Sequence, residues 1–323
     1  MVKALMEDRA LLIDIQRLST EDGPGVRTTV FFKGCNLRCA WCHNPESLSS
    51  ARQVEWYDNR CIGCRICEGV CSQKGLSLGE DGMTIARELC LACGRCVKEC
   101  PSGAMSMKGE EWALEDLVRE VLKDRSFFGA QGGVTVSGGE VLLQSGFAAA
   151  FLKRLREEGV HTALDTAGCV GWEVFEKVLR CADLVLLDMK LRDPERHEKF
   201  TGRDNALILE NAKRLRKYIL DRGAPELWVR TPIIPGATDT DENIRGIGAF
   251  IEENLADVVK VWELCSFNNL CRDKYTRLGI DWTFGAARLM TRERMEALRR
   301  IAGSELRDPS IAIWSGGTAI EDE

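Results

Sequence analysis

Eleven of the fifteen cysteines in this 323-residue chain fall between residues 35 and 100. That clustering limits the fold more than any other feature, because thiolates repeated at short fixed spacings must converge on common centres. The first group, Cys35, Cys39 and Cys42, has the spacing C-x3-C-x2-C within Gly34-Cys-Asn-Leu-Arg-Cys-Ala-Trp-Cys42. Three thiolates this close can hold three irons of a 4Fe-4S cube. A ligand set one short leaves the fourth iron open to a small molecule, which is how open catalytic metal sites differ from closed structural ones. Taken alone, the run is also compatible with a zinc site or a chance spacing.

The other eight form two matching sets, Cys61-x2-Cys64-x2-Cys67-x3-Cys71 and Cys90-x2-Cys93-x2-Cys96-x3-Cys100-Pro101. This is the pattern of bacterial two-cluster ferredoxins, and it implies two further 4Fe-4S clusters. In that pattern the fourth cysteine of each run crosses over. One cluster then takes Cys61, Cys64, Cys67 and Cys100, and the other takes Cys90, Cys93, Cys96 and Cys71. Two zinc ribbons would use pairs of C-x2-C and leave the third and fourth cysteines of each run without a role. The first run ends Cys71-Ser72 rather than Cys-Pro, so the turn after it is less rigidly set. Thiolates in this number oxidise in air, which points to an anaerobic setting.

A chain with 45% hydrophobic residues can build one large core with a satellite, or two domains. The formal net charge of −6 argues against a broad nucleic-acid footprint. No stretch reaches the ~18 uninterrupted apolar residues of a membrane helix. The start, Met-Val-Lys-Ala-Leu-Met-Glu-Asp-Arg9, turns acidic before a signal-like apolar run develops. A cytoplasmic protein without nucleic-acid or membrane partners is expected, its cysteines serving as metal ligands rather than disulfides.

From about residue 112 onward helical patterns alternate with short β-rich runs, which predicts βα units and a parallel sheet. Strands are expected at Thr28 to Phe32, Gly133 to Ser137, His161 to Leu164, Leu184 to Leu187, Leu227 to Val229 and Val258 to Leu264. Six such strands make an α/β fold, a partial (β/α)6 TIM-type barrel, whose functional groups come from the C-terminal strand ends. The polar and glycine-rich motifs fall there: Cys35, Ser137-Gly-Gly-Glu140, Asp165-Thr-Ala-Gly168, Asp188-Met-Lys190 and Arg230. The expected organisation is a barrel N-terminal part over 1–52, a ferredoxin-like insertion over 53–110 and the remainder of the barrel over 111–323.

The Cys35 to Cys42 run resembles the signature of the radical S-adenosylmethionine (SAM) enzymes, whose cluster binds SAM and reductively cleaves it to a 5'-deoxyadenosyl radical. Over nearly the whole chain the motifs resemble the glycyl radical enzyme activating enzymes, the group around the pyruvate formate-lyase activating enzyme. The likeness runs through Asp22-Gly-Pro-Gly-Val-Arg-Thr28, Lys33-Gly-Cys35, Trp41-Cys-His-Asn-Pro-Glu46 and the strand-end motifs to Asp273-Lys-Tyr-Thr-Arg-Leu-Gly279. It implies that Cys35, Cys39 and Cys42 ligate the catalytic cluster and that Trp41 lies against the adenine. Gly138 and Gly139 would meet the methionyl amino group, with Glu140 beside them, although the usual proline after the motif is Val141 here. Asp165 would pair with the SAM ammonium and, with Thr166 and Asp188, could surround a monovalent cation. Lys190 and Arg230 would face the methionine carboxylate. Asn268 stands where relatives often have histidine and can hydrogen-bond a ribose hydroxyl without titrating.

The resemblance implies an enzyme that uses SAM and three 4Fe-4S clusters to abstract a glycine Cα hydrogen from a partner glycyl radical enzyme. Flavodoxin or ferredoxin would donate the electron, and the chain would act as a monomer. Asp22 to Gly25 would line the opening for the partner's glycine loop. The competing readings are a radical SAM enzyme that modifies another peptide or a small molecule, and a ferredoxin-type electron carrier. Cys169, Cys181, Cys265 and Cys271 lack cluster spacing and are expected to be buried small hydrophobes. His43 and His161 carry no assignment.

Overall fold

A computed structural model describes residues 8–316. It begins with β1 (Arg9–Ser19), which pairs antiparallel with β2 (Arg27–Phe32). The β2 sequence Arg-Thr-Thr-Val-Phe-Phe is β-branched and aromatic and buried on both faces, as suits a central strand of a parallel sheet. An insertion follows, composed of β3 (Gln53–Trp56), α1 (Ile66–Val70), β4 (Leu76–Gly79), β5 (Gly82–Ile85), α2 (Arg95–Lys98) and β6 (Met105–Lys108). Within it β3 pairs antiparallel with β6 and β4 with β5, over a small core of Val54, Cys67, Leu76, Cys96 and Met105.

The chain then returns to the large sheet through β7 (Glu110–Ala113) and α3 (Leu114–Leu122). It continues as β8 (Gly133–Gly138), α4 (Ser145–Glu157), β9 (His161–Thr166), α5 (Trp172–Leu179), β10 (Leu184–Asp188), α6 (Pro194–Thr201), α7 (Ala206–Arg222) and β11 (Glu226–Ile233). The last elements are α8 (Asp241–Asn254), β12 (Val259–Ser266), α9 (Arg272–Leu278), α10 (Arg292–Ser304) and β13 (Ala312–Ser315). The nine strands lie in the order β13-β12-β11-β10-β9-β8-β2-β1-β7. From β2 to β13 every pairing is parallel, while β1 is antiparallel to both β2 and β7.

The six expected parallel strands are present, and the sheet exceeds them at both edges. β13 adds a seventh parallel strand beside β12, and β1 and β7 add the antiparallel edge. β7 begins at Glu110, which pairs with Leu12, so that residue already belongs to the large sheet. None of the helices among the described residues is long and apolar enough to cross a membrane.

At the N-terminal ends of the strands one buried cation ties three of them together. The Arg27 side chain is fully buried. It donates to Thr135 Oγ1 at 2.6 Å, to the Pro24 carbonyl at 3.1 Å and to the Val134 carbonyl at 3.0 Å, and lies 3.2 Å from His161 Nδ1. Burial pulls it down to about 10, partly offset by Asp22, so it stays charged at neutral pH. A lysine has neither the planar fork nor the five donors to serve these acceptors together. Arg27→Lys should therefore cost about 3 kcal/mol, because buried acceptors lose charge-assisted bonds. Chemical denaturation of the two proteins checks this, and a loss under about 1 kcal/mol would show that the acceptors find other partners.

Candidate active site at the strand ends

The C-terminal ends of the parallel strands open into a cavity of about 530 Å³, within the roughly 300–1,000 Å³ typical of small-molecule sites. Its wall includes Cys35, Cys39 and Cys42 together with Trp41, Gly138, Gly139, Glu140, Asp165, Thr166, Asp188, Lys190, Arg230 and Asn268. Every catalytic and cofactor residue expected from the sequence thus comes to one place.

The cysteine loop leaves β2 at Phe32 and is seated by backbone bonds. Gly34 N donates to Ser47 O at 2.7 Å, Arg38 N to Thr201 O at 2.7 Å and Ala40 N to Phe200 O at 2.9 Å. This seating requires Gly138 and Gly139, which also line the cavity. Gly138 has φ +113°, and a Cβ there would fall 2.4 Å from Phe32 N; a Cβ on Gly139 would fall 2.1 Å from Gly34 O. Burial pushes the Cys35 thiol up to about 12 and raises Cys39 and Cys42 as well. Thiolates at these positions therefore need a cationic centre, as iron would provide. The Leu37 amide already donates to Cys35 Sγ at 3.4 Å, a bond suited to a sulfur ligand.

The same cavity wall carries a set of mostly covered charges. Asp165 accepts from Ser137 Oγ at 2.6 Å through Oδ2, while its buried Oδ1 has no partner among the described residues. Burial and the neighbouring Asp188 push Asp165 up to about 7, against the lowering effect of Arg230. Arg230 donates to the Glu21 carbonyl at 2.9 Å, and its Nε forms an ion pair with Glu263 at 2.7 Å, out of line for a hydrogen bond. Glu263 sits directly opposite Arg230 in the β11–β12 register. Lys190 pairs with Asp188; although burial lowers its pKa, that carboxylate together with Cys39 and Asp165 raises it on balance.

Glu140 and Thr166 serve each other. Glu140 Oε1 accepts from Thr166 Oγ1 at 2.6 Å and from Leu142 N at 3.1 Å, and Oε2 accepts from Ala167 N at 3.2 Å. Both carboxylate oxygens are thus engaged in joining the loops after β8 and β9. Trp41 is a core residue as well as part of the wall, tilted on Phe200 at 5.9 Å and edge-on to Phe284 at 6.2 Å. Asn268 Oδ1 accepts from Leu270 N at 3.2 Å. Asp22 lines the cavity, whereas Gly23 packs near Leu184 and Gly25 against Gly132, at the opposite ends of the strands.

The wall also contains His43 and Cys265, and Glu263 stands behind it. Glu263 lies within the expected strand Val258 to Leu264 and Cys265 just beyond its expected end, which β12 extends to Ser266. Cys169 and Cys271 are buried as expected, while Cys181 and Cys265 are only partly covered. His161 instead belongs to the Arg27 cluster at the other end of the sheet.

In the insertion, Cys61, Cys64, Cys67 and Cys100 line one small cavity, and Cys71, Cys90, Cys93 and Cys96 line another. Gly75 N donates to Cys71 Sγ and Met105 N to Cys100 Sγ, each at 3.4 Å. No three His, Cys, Asp or Glu side chains among the described residues converge closely enough for a single metal ion. A four-iron cube differs in this respect, because its own width separates the thiolates.

Asp165 generates a pH prediction. A ligand N–H donated to Oδ1, such as that of the amino group expected of SAM, favours the ionised carboxylate, so its binding must displace a proton whenever the pH lies below about 7. The groups facing Asp165 are Asp188, Arg230, Ser137 and Asp22. SAM affinity by equilibrium binding should fall on the order of tenfold from pH 7.5 to 5.5, and Asp165→Asn should bind more weakly with a flatter profile. A flat profile in the unmodified protein would place the amino group elsewhere.

A model of the radical SAM superfamily matches residues 29–245. The chain is 37% identical over 293 residues to the trans-4-hydroxy-L-proline dehydratase activating enzyme of Clostridioides difficile, covering 90% of this chain and 95% of that one. It is 35% identical to the 4-hydroxyphenylacetate decarboxylase activating enzyme of Clostridium scatologenes, over 96% of this chain and 98% of the relative. It is 36% identical to the (2S)-3-sulfopropanediol dehydratase activating enzyme of Klebsiella oxytoca, over 90% and 92%. With its cysteine loop and strand-end charges gathered on one cavity, the chain belongs to the radical SAM superfamily and, within it, to the glycyl radical enzyme activating enzymes.

Proposed function

We propose that this activating enzyme generates a backbone glycyl radical in a large partner lyase, dehydratase or decarboxylase, and that the cavity at the strand ends is where it binds SAM. The observation that carries this reading is the placement of three closely spaced thiols and an unpartnered, buried Asp165 Oδ1 on one wall. A four-iron cluster with an open iron, when bound, supplies the electron that splits SAM into methionine and the 5'-deoxyadenosyl radical.

The residues of the chain bind and orient. Cys35, Cys39 and Cys42 hold the cluster, Asp165 Oδ1 accepts an N–H from the SAM amino group, and Asp188 with Thr166 faces a monovalent cation. Lys190 and Arg230 receive the methionine carboxylate with donors their present partners do not use. Glu140 and Thr166 keep the loops after β8 and β9 in register, so the thiols and Asp165 hold a fixed separation. Trp41 closes the adenine side, and Asn268 meets the ribose. The open sheet acts as a partial barrel whose lumen excludes water from the radical.

Residues 53–109 form a ferredoxin-like unit with two accessory clusters in the crossed ligand sets, a reading supported by the two four-cysteine cavities. Flavodoxin or ferredoxin delivers the electron. The relatives are named for dehydratases and a decarboxylase, which favours those classes of partner.

Replacing Cys35, Cys39 and Cys42 together by alanine tests the assignment. Iron should fall from about twelve to about eight per chain after anaerobic reconstitution, and SAM cleavage and glycyl radical formation in a co-encoded partner should be abolished. Undiminished iron or retained cleavage would place the catalytic cluster elsewhere.

A further inference from the structure

The Asp273-Lys-Tyr-Thr-Arg-Leu-Gly279 run supplies nothing to the cavity wall, yet α9, which it forms, grips the cysteine loop. The Tyr275 hydroxyl donates to the Cys42 carbonyl at 2.8 Å. Lys274 Nζ donates to the His43 carbonyl at 3.1 Å and to Asn44 Oδ1 at 2.9 Å, and pairs with Glu46 Oε1 at 2.8 Å. Cys271 Sγ adds a weaker contact to the Cys42 carbonyl at 3.8 Å. Four residues of the segment from Cys42 to Glu46 are thus bonded to one short helix.

That helix rests on a firm base. The Tyr275 ring stacks on Trp282, with centroids 5.0 Å apart and 12° between the planes. Arg87 of the insertion donates to the Leu278 carbonyl at 2.6 Å and also bonds the Val54 carbonyl. The Arg277 guanidinium lies over the Tyr57 ring at 4.4 Å. From the opposite side of the loop, Lys33 donates to the Glu46 carbonyl and to Gln53 Oε1. The last cysteine of the loop is therefore held between α9, the insertion and β2, although Lys274 and Tyr275 bond its backbone and the residues after it rather than a thiol.

We propose that Lys274 and Tyr275 are positioning residues for Cys42: they fix the segment Cys42 to Glu46, and through it they set how readily the cluster held by Cys35, Cys39 and Cys42 is reduced. The inference rests on the cluster assignment made above. Reduction adds a negative charge beside Cys42. A hydroxyl dipole aimed at the carbonyl of that ligand residue and an ammonium on the following residues both stabilise the added charge, as partners outside the ligand set commonly do at iron–sulfur sites. Removing either should make the cluster harder to reduce.

The test measures the midpoint potential of the reconstituted protein, following the reduced-cluster resonance that changes when SAM is added. Tyr275→Phe keeps the ring stacked on Trp282 and removes only the hydroxyl. It should retain full iron, shift that potential to a more negative value and slow SAM cleavage several-fold at a fixed reductant potential. Lys274→Gln should shift the potential the same way and speed hydrogen exchange across residues 42–46, while Lys274→Arg should restore both. A wild-type potential in Tyr275→Phe would overturn the proposal, however Lys274→Gln folds. The potential is read without turnover, so this failure differs from failure of the cluster assignment, which would appear as undiminished iron in the triple cysteine variant.

Discussion

The site depends on the contact between Gly139 and Gly34, where one methyl group would overlap a carbonyl oxygen. Glu140 N donates to Gly34 O at 2.8 Å and Gly139 N to Phe32 O at 2.9 Å, so the loop after β8 lies directly on the start of the cysteine loop. From that contact the positions of the other groups follow in order. Glu140 reaches forward to Thr166 and Ala167, and Ser137 reaches Asp165. The thiols and the free carboxylate oxygen are therefore related through a few short bonds rather than through a mobile loop. Glycine costs conformational entropy at such positions, and only glycine can occupy them.

The second constraint is electrostatic. Asp165, Asp188, Lys190, Arg230 and Glu263 lie at neighbouring strand ends with little exposure, which is costly for groups serving stability alone. Their signs are mixed, so the set suits an amino acid group, with acidic residues for its amino end and basic residues for its carboxylate. Low local dielectric strengthens such contacts and holds the ligand without reorganisation. A perturbed Asp165 inside a cavity belongs with function rather than packing.

Much of this was legible in the residues. The central strands are β-branched runs buried on both faces, and each ends in a polar or glycine-rich motif, so their order and the position of the site could be read together. The edges could not. β1 carries Asp14 and Arg17 and breaks register twice against β2, and β13 has only four residues, so neither shows a clear period. α9 is seven residues long, too short for periodicity to announce it. The packing of Gly138 and Gly139 on the cysteine loop was also hidden, because the sequence does not show which neighbouring backbone a glycine must approach. Glu263 became meaningful only once the β11–β12 register set it opposite Arg230.

The central claim is that the cavity binds SAM on the open iron of a cluster held by Cys35, Cys39 and Cys42. The most direct measurement is electron–nuclear double resonance on the reduced protein with SAM labelled by nitrogen-15 at its amino group and oxygen-17 at its carboxylate. The account predicts hyperfine coupling from both labels to one four-iron cluster, absent when those three cysteines are replaced. Full SAM occupancy without coupling from either label would contradict it.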